Sequence, residues 1–270
     1  MKIAYLIKKN SLQQDPSIES LLASLRAAGM ELYKVEGQLA PSTELLLSFG
    51  GDGTFLTAAS LACQWGIPVL GVNLGRLGFL SENKVEEVSK ALTDGDYSIE
   101  ERSMIEVKVE APEFENIYPY ALNEVAVRRL GTGTLALDVS VDSEILPTYW
   151  ADGILVSTSS GSTAYSLSVG GPICRPDVDA LILSPIAPHN LNLRPLVLPG
   201  ASKIEIRAVD RKSAALALSL DNRDLVVPSG TAISVSSAPF KLKKLVLGKS
   251  NFIQALRTKL LWGEDVRNTQ

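Results

Sequence analysis

Histidine and cysteine are nearly missing from this 270-residue chain: His189 stands alone, and Cys63 and Cys174 lie far apart, with neither a CxxC spacing nor a disulfide framework. So sparse a supply excludes a dedicated zinc site and reads as two buried thiols in a reducing compartment. His189 follows Pro188, so a structural turn role outweighs catalysis. No GxxxxGK[ST] loop, no GxGxxG after a strand and no GxSxG elbow occurs. Basic residues do not dominate either: 26 Lys and Arg stand against 30 Asp and Glu, a net charge of −4. That balance carries no nucleic-acid footprint and no polybasic patch for a membrane surface. No stretch reaches the roughly 18 unbroken apolar residues of a membrane span. The opening MKIAYLIKKN puts its apolar run before Lys8 and Lys9, the reverse of a signal peptide. A cytoplasmic protein with a small-molecule partner is expected.

What is present fits a globular chain, since 46% of residues are hydrophobic and 21% charged. Residues 2–7 suit a buried strand, and 16–28 carry Ile18, Leu21, Leu22 and Leu25 at helical spacing before Gly29. A short apolar run at 44–49 ends in Gly50-Gly51-Asp52-Gly53-Thr54, followed by a helix-like stretch over 55–65. A third strand at 67–72 closes in a turn through Asn73, Gly75 and Gly78, and 85–92 reads as helix. Strands alternating with helices predict a parallel, Rossmann-like sheet over residues 1–99. Beyond residue 100 a two-residue alternation takes over, at 105–109, 134–141, 204–207, 214–220 and 233–235, which predicts a β-sandwich over 100–250. The segment 251–270 places Phe252, Ile253, Leu256, Leu260 and Leu261 on one helical face, to pack back on the first domain.

Three places have the composition of a nucleotide site. Gly50-Gly51-Asp52-Gly53-Thr54 joins a strand to a helix, where glycines let backbone N–H groups approach a phosphate. Asp52 at its centre suits either acceptance of a hydroxyl proton or help in holding a phosphate-bound metal, and equally a plain helix N-cap. Residues 152–171, DGILVSTSSGSTAYSLSVGG, gather hydroxyls and glycines around Tyr165, as a nucleotide pocket or a solvated connection would. Asn123 and Glu124 open an alternating strand, where a carboxylate can take both hydroxyls of a ribose or sit as part of an edge-strand polar pair. Asp152 before Gly153 also fits an Asx turn.

Taken together, GGDGT at 50–54, Asn123-Glu124, DGILVSTSSGSTAYSLSVGGP at 152–172 and PIAPHNLNLRPLVLP at 185–199 resemble the signature blocks of NAD kinases. The resemblance implies transfer of the terminal phosphate of ATP, with Mg²⁺ or another divalent metal, to the 2′-hydroxyl of the adenosine ribose of NAD. Asp52 would be the proton acceptor, with Gly53 beside it in the NAD site. Asn123 would face the adenine and Glu124 the ribose. Thr163, Ala164, Tyr165, Ser166, Leu167 and Ser168 would wrap the dinucleotide, Asp152 would meet the nicotinamide end with Ala187 nearby, and Asn222 would add a contact. The family also implies a site lying between domains and completed by a neighbouring subunit, hence a homodimer or homotetramer. No metal ligand is assigned. Three departures stand out: Ser159-Ser160 where Pro-Thr is usual, Asp221-Asn222-Arg223 in place of Asp-Gly-Gln, and Trp150 in place of Arg. A lipid kinase on the same loop and a silent dinucleotide-binding regulator are the competing readings.

Overall fold

The short apolar runs at the start of the chain pair edge to edge because each is buried on both sides, the mark of a parallel sheet covered by helices. The computed structural model describes residues 1–75, 78–209, 215–248 and 252–263. Lys2–Ile7 pairs in parallel with Glu31–Lys34 on one side and Leu45–Phe49 on the other, and Leu45–Phe49 pairs in parallel with Val69–Asn73. Every residue of Leu45–Phe49 is buried. The helices Pro16–Ala27 and Val85–Asp94 set Ile18, Leu21, Leu22, Leu25, Val85, Val88 and Leu92 into one core with Ile3, Leu45, Leu47, Phe49, Leu70 and Val72. Asp15 caps the first of these helices by accepting the backbone N–H of Ser17 at 2.9 Å, and Pro16 follows at the first helical position.

The chain divides into two units, Met1–Glu101 with the segment that begins at Leu242, and Arg102–Lys241. The first boundary lies close to the expected one, but the second does not. Leu242–Leu247, placed by its sequence in the β-sandwich, joins the first sheet between Val69–Asn73 and Tyr97–Arg102. Its Lys244 is 1% exposed, held inside by Glu82 at 2.5 Å, a partner remote in the sequence. The C-terminal helix, Phe252–Leu260, belongs to the same unit, with the Phe252 ring centroid 6.3 Å from that of Phe79. The expected helix through residue 270 includes 251 and 264–270, which lie outside the described residues, as does Ala214 of the expected strand at 214–220.

The second unit is a β-sandwich. One sheet carries Ile105–Val109, Leu135–Val141, Ile204–Ala208 and Ala232–Ser237, and the other carries Glu124–Arg129, Gly153–Thr158, Ala180–Ile186, Leu196–Pro199, Ala215–Leu220 and Arg223–Pro228. Alternate residues from both, including Val107, Leu137, Ile206 and Val235 against Val125, Val127, Ile154, Leu183 and Leu218, form a single apolar core. Gly153–Thr158 is wholly buried, so the first part of the hydroxyl-rich block is a central strand, and not a solvated connection. Among the described residues, no helix is long and apolar enough to cross a membrane.

Candidate active site

The helix that follows the glycine loop starts earlier than its apolar stretch. Gly51 is the N-cap, and Asp52 lies in the first turn of Asp52–Ala62. Asp52 is therefore not the cap. Its carboxylate turns away from the helix and accepts three consecutive backbone N–H groups: Phe79 to Oδ2 at 2.9 Å, Leu80 to Oδ1 at 3.1 Å and Ser81 to Oδ1 at 3.0 Å. Among the described residues, Oδ1 thus takes two donors and Oδ2 takes one, which leaves one acceptor direction on Oδ2. The near side of this cradle depends on Gly78, where a Cβ would stand 1.8 Å from Asp52 Oδ1. A Cβ on Gly51 or Gly53 would meet nothing within 4 Å, so the helix N-terminus has room for an anion beside its free N–H groups.

Lys259 of the C-terminal helix completes the surroundings of Asp52. Its ammonium lies 4.0 Å from Asp52 Oδ2 and 4.0 Å from the Phe79 ring centroid. Burial pushes this ammonium below the usual lysine range, opposed by the charges of Asp52 and Glu82 and reinforced by Lys244.

In the second unit, Asn123 and Glu124 do not sit on an edge. Glu124–Arg129 runs between Gly153–Thr158 and Ala215–Leu220, so its ladder is filled on both sides. Its start is fixed by Asp221, which adopts φ +50° in the turn before Arg223–Pro228. Asp221 accepts the N–H of Leu122 at 2.9 Å, of Asn123 at 2.8 Å and of Glu124 at 3.2 Å. The hydroxyl-rich block folds back onto this point. Thr158 donates its hydroxyl to the Leu122 carbonyl at 2.5 Å and receives the Gly161 N–H at 3.1 Å. Only glycine fits at 161, because a Cβ there would lie 2.1 Å from the Asn123 carbonyl oxygen. The turn Ser160–Thr163 and the short helix Tyr165–Ser168 follow, bringing the Tyr165 N–H to the Glu124 carboxyl and its ring against Ala126, Leu155 and Ile186.

Asn123, Glu124, Thr163, Ala164, Tyr165, Ser166, Leu167 and Ser168 therefore converge on one region. Among the described residues, Glu124 Oε2, Ser160 Oγ and Ser166 Oγ are buried there without a hydrogen-bond partner, so polar capacity is left for a ligand. Burial, then the Asp221 charge, pushes the Glu124 carboxyl up to about 8, opposed by the Tyr165 N–H. Asp221 is raised by burial as well, against the three N–H groups and Arg223.

Other candidates take structural partners. Asp152 forms a two-pronged pair with Arg129, at 2.8 Å from Nε and 3.0 Å from Nη2. Ala187 is exposed at φ +45°, and Asn222 is exposed on the turn beside Asp221. His189 donates its backbone N–H to the Trp150 carbonyl at 2.8 Å, and its ring Nε2 lies 3.1 Å from the Thr134 hydroxyl. Ser159, which stands where a proline was expected, is buried and donates its hydroxyl to the Val178 carbonyl at 2.6 Å, a tether in place of a fixed φ. Arg223 donates to the Tyr118 carbonyl at 2.6 Å and stacks 5.0 Å over the Tyr118 ring, so this departure holds the turn in place. The sequence reading missed the segment 79–81, Asp221 as a backbone clamp, and Lys259. Gly78 was visible only as a turn residue, and Lys259 only as one charge on an amphipathic helix.

Two outcomes follow from this geometry. Gly78→Ala should cost about 2 kcal/mol of stability through the clash with Asp52, read from the urea unfolding midpoint. An unchanged midpoint would mean that the cradle gives way freely. For Glu124, the folded carboxyl holds its proton to about 8, against 4.5 ordinarily, so the folded state binds more protons across that window. The stability it contributes is complete below about 4.5 and is lost as pH rises through about 8. Glu124→Gln should therefore flatten the fall in melting temperature between pH 5 and 8, leaving the part due to Asp221; an identical pH profile would refute the shift.

The comparisons with known proteins agree with one another. The ATP-NAD kinase N-terminal domain model matches residues 7–95, and the ATP-NAD kinase C-terminal domain model matches residues 122–247. An NAD kinase of Flavobacterium psychrophilum is 41% identical, covering 84% of this chain and 79% of its own length. One from Porphyromonas gingivalis is 39% identical, covering 98% of this chain and 99% of its own. Among solved structures, yeast NADH kinase complexed with NADH superposes with a TM-score of 0.85 at 26% identity, covering 100% of this chain and 90% of that one. An NAD kinase from Archaeoglobus fulgidus in complex with ATP gives 0.78 at 24% identity, covering 97% and 99%, and speaks for the fold alone. With a parallel sheet carrying an aspartate at a glycine loop, a β-sandwich carrying the GSTAY block, and these matches over most of its length, the chain belongs to the ATP-NAD kinase family.

Proposed function

We propose that Asp52 is the proton acceptor in the family's reaction, phosphorylation of NAD to NADP with ATP as donor. The 2′-hydroxyl of the adenosine ribose gives its proton to Asp52 Oδ2. Its oxygen bonds to the terminal phosphorus of ATP as the bond to the bridging oxygen breaks, and ADP leaves with that electron pair. The observation that carries this role is the unfilled acceptor direction on Oδ2, left by a cradle that fixes the other three. A base held rigidly on backbone N–H groups needs little rearrangement at the moment of transfer. Gly51 and Gly53, open to approach, let loop N–H groups take the transferring phosphate while Gly53 borders the NAD site.

The second unit supplies the dinucleotide contacts. Glu124, with Oε2 unpartnered, takes ribose hydroxyls, and Asn123 faces the adenine. Thr163, Ala164, Tyr165, Ser166, Leu167 and Ser168 wrap the cofactor, and Asp152, Ala187 and Asn222 border its far end. Asp152 would do so through the Arg129 pair, which holds its carboxylate in one orientation.

Among the described residues, no group of three or more His, Cys, Asp or Glu side chains is gathered to hold a metal. Mg²⁺ usually keeps several waters and leans on substrate phosphates, so it would arrive on the triphosphate. Such an ion, when bound, neutralises charge on the transferring phosphoryl group. Neither Cys63 nor Cys174 is in a disulfide, in keeping with a cytoplasmic site of action.

A homodimer or homotetramer is the proposed state. Leu191, Val197 and Trp150, which are 83%, 51% and 47% exposed on the second unit, give apolar surface for association. Analytical ultracentrifugation should find at least a dimer at micromolar concentration, and Val197→Glu should weaken it; a monomer at all concentrations would refute the assignment.

Asp52→Asn should lower turnover at least about a hundredfold, the usual reach of a general base. NAD affinity should stay within about tenfold, some 1.4 kcal/mol. NADP formation followed with an NADP-specific dehydrogenase reads the first quantity and calorimetry the second. Retained turnover would remove Asp52 from the role.

A further inference from the structure

The first unit holds four charges in alternating order. Lys244 Nζ, on a central strand, lies 2.5 Å from Glu82 Oε1, Glu82 in turn acts on Lys259, and Lys259 lies 4.0 Å from Asp52 Oδ2. The Lys259 side chain is only 17% exposed, so solvent screens its charge weakly. Two features restrict where it can go. Its ammonium sits over the Phe79 ring, and Phe252 of the same helix packs against that ring as well. Phe79 is also, among the described residues, the one whose N–H donates to Asp52 Oδ2. The C-terminal helix thus grips, through an aromatic contact and a cation, the segment that orients the acceptor oxygen.

We propose that Lys259 is a positioning residue for phosphoryl transfer, the counter-charge that keeps the Asp52 carboxylate in its cradle when a polyphosphate anion arrives at the glycine loop. The inference rests on Asp52 as proton acceptor. A carboxylate and a triphosphate at close range repel each other in a partly dehydrated site, and three neutral N–H donors offset only part of that repulsion. A cation beside Oδ2 offsets more of it. Because the ammonium lies at ion-pair distance and not in a tight hydrogen bond, the open acceptor direction is not consumed. The lysine stands in contact with the base and acts through it.

The test is steady-state NADP formation by the full chain carrying Lys259→Met, Lys259→Arg or Asp52→Asn, beside the wild type. Methionine keeps much of the unbranched stem and removes the charge, and arginine keeps the charge. Lys259→Met should lower kcat about thirtyfold with the KM for NAD within about threefold, and Lys259→Arg should recover to within about fivefold of wild type. Thermal melting of Lys259→Met close to that of wild type would separate this loss from unfolding. Wild-type kcat in Lys259→Met, with Asp52→Asn inactive, overturns this inference alone. So does a loss that arginine shares in full with an equal drop in melting temperature, which would make Lys259 only an anchor for the helix. Wild-type turnover in Asp52→Asn overturns the acceptor role and this inference with it.

Discussion

An aspartate accepting three consecutive backbone N–H groups is the constraint on which both halves of this protein depend. Asp52 collects Phe79, Leu80 and Ser81 in the first unit, and Asp221 collects Leu122, Asn123 and Glu124 in the second. Backbone N–H groups at the end of a strand or in a turn would otherwise be left without partners, at a cost of about 1–3 kcal/mol each when buried. One carboxylate settles three of them and fixes the direction of the chain on either side. In the first unit the clamp keeps an open acceptor direction on Oδ2. In the second it sets where the strand from Glu124 begins.

The two clamps have different electrostatic consequences. Asp52 is part-exposed and has Lys259 beside it, so its charge is met by a cation. Asp221 lies beside Glu124, so two carboxyl groups share one poorly solvated corner and both are pushed up from their usual range. A carboxyl pushed up to about 8 with one oxygen unpartnered marks Glu124 as a candidate ligand-contacting group. Room comes from missing side chains at Gly78 and Gly161, where a Cβ would strike Asp52 and Asn123 respectively.

Much of the architecture was legible because the hydrophobic period changes near residue 100. Apolar runs separated by helical spacing cannot bury their surface except in a covered parallel sheet, and strict alternation cannot do so except with one face on a core. The GGDGT loop and the GSTAY block were legible as candidate sites because glycines and hydroxyl residues crowd there. Leu242–Leu247 misled for a physical reason. Its adjacent Lys243 and Lys244 read as a solvated stretch, whereas Lys244 is buried in the first sheet as the partner of Glu82.

The amino-acid sequence by itself determined the two-part fold, the glycine loop with Asp52 inside it, and membership of a nucleotide-phosphorylating family, since these follow from local spacing and from which residue types stand side by side. The tertiary structure alone decided what each carboxylate bonds. Asp52 and residues 79–81, Asp221 and residues 122–124, and Lys259 and Asp52 are all remote in the chain, and a hydrogen bond or ion pair between remote residues leaves no period in the sequence. Their pairing is fixed only when the sheet and sandwich close, and with it which oxygen keeps an open acceptor direction.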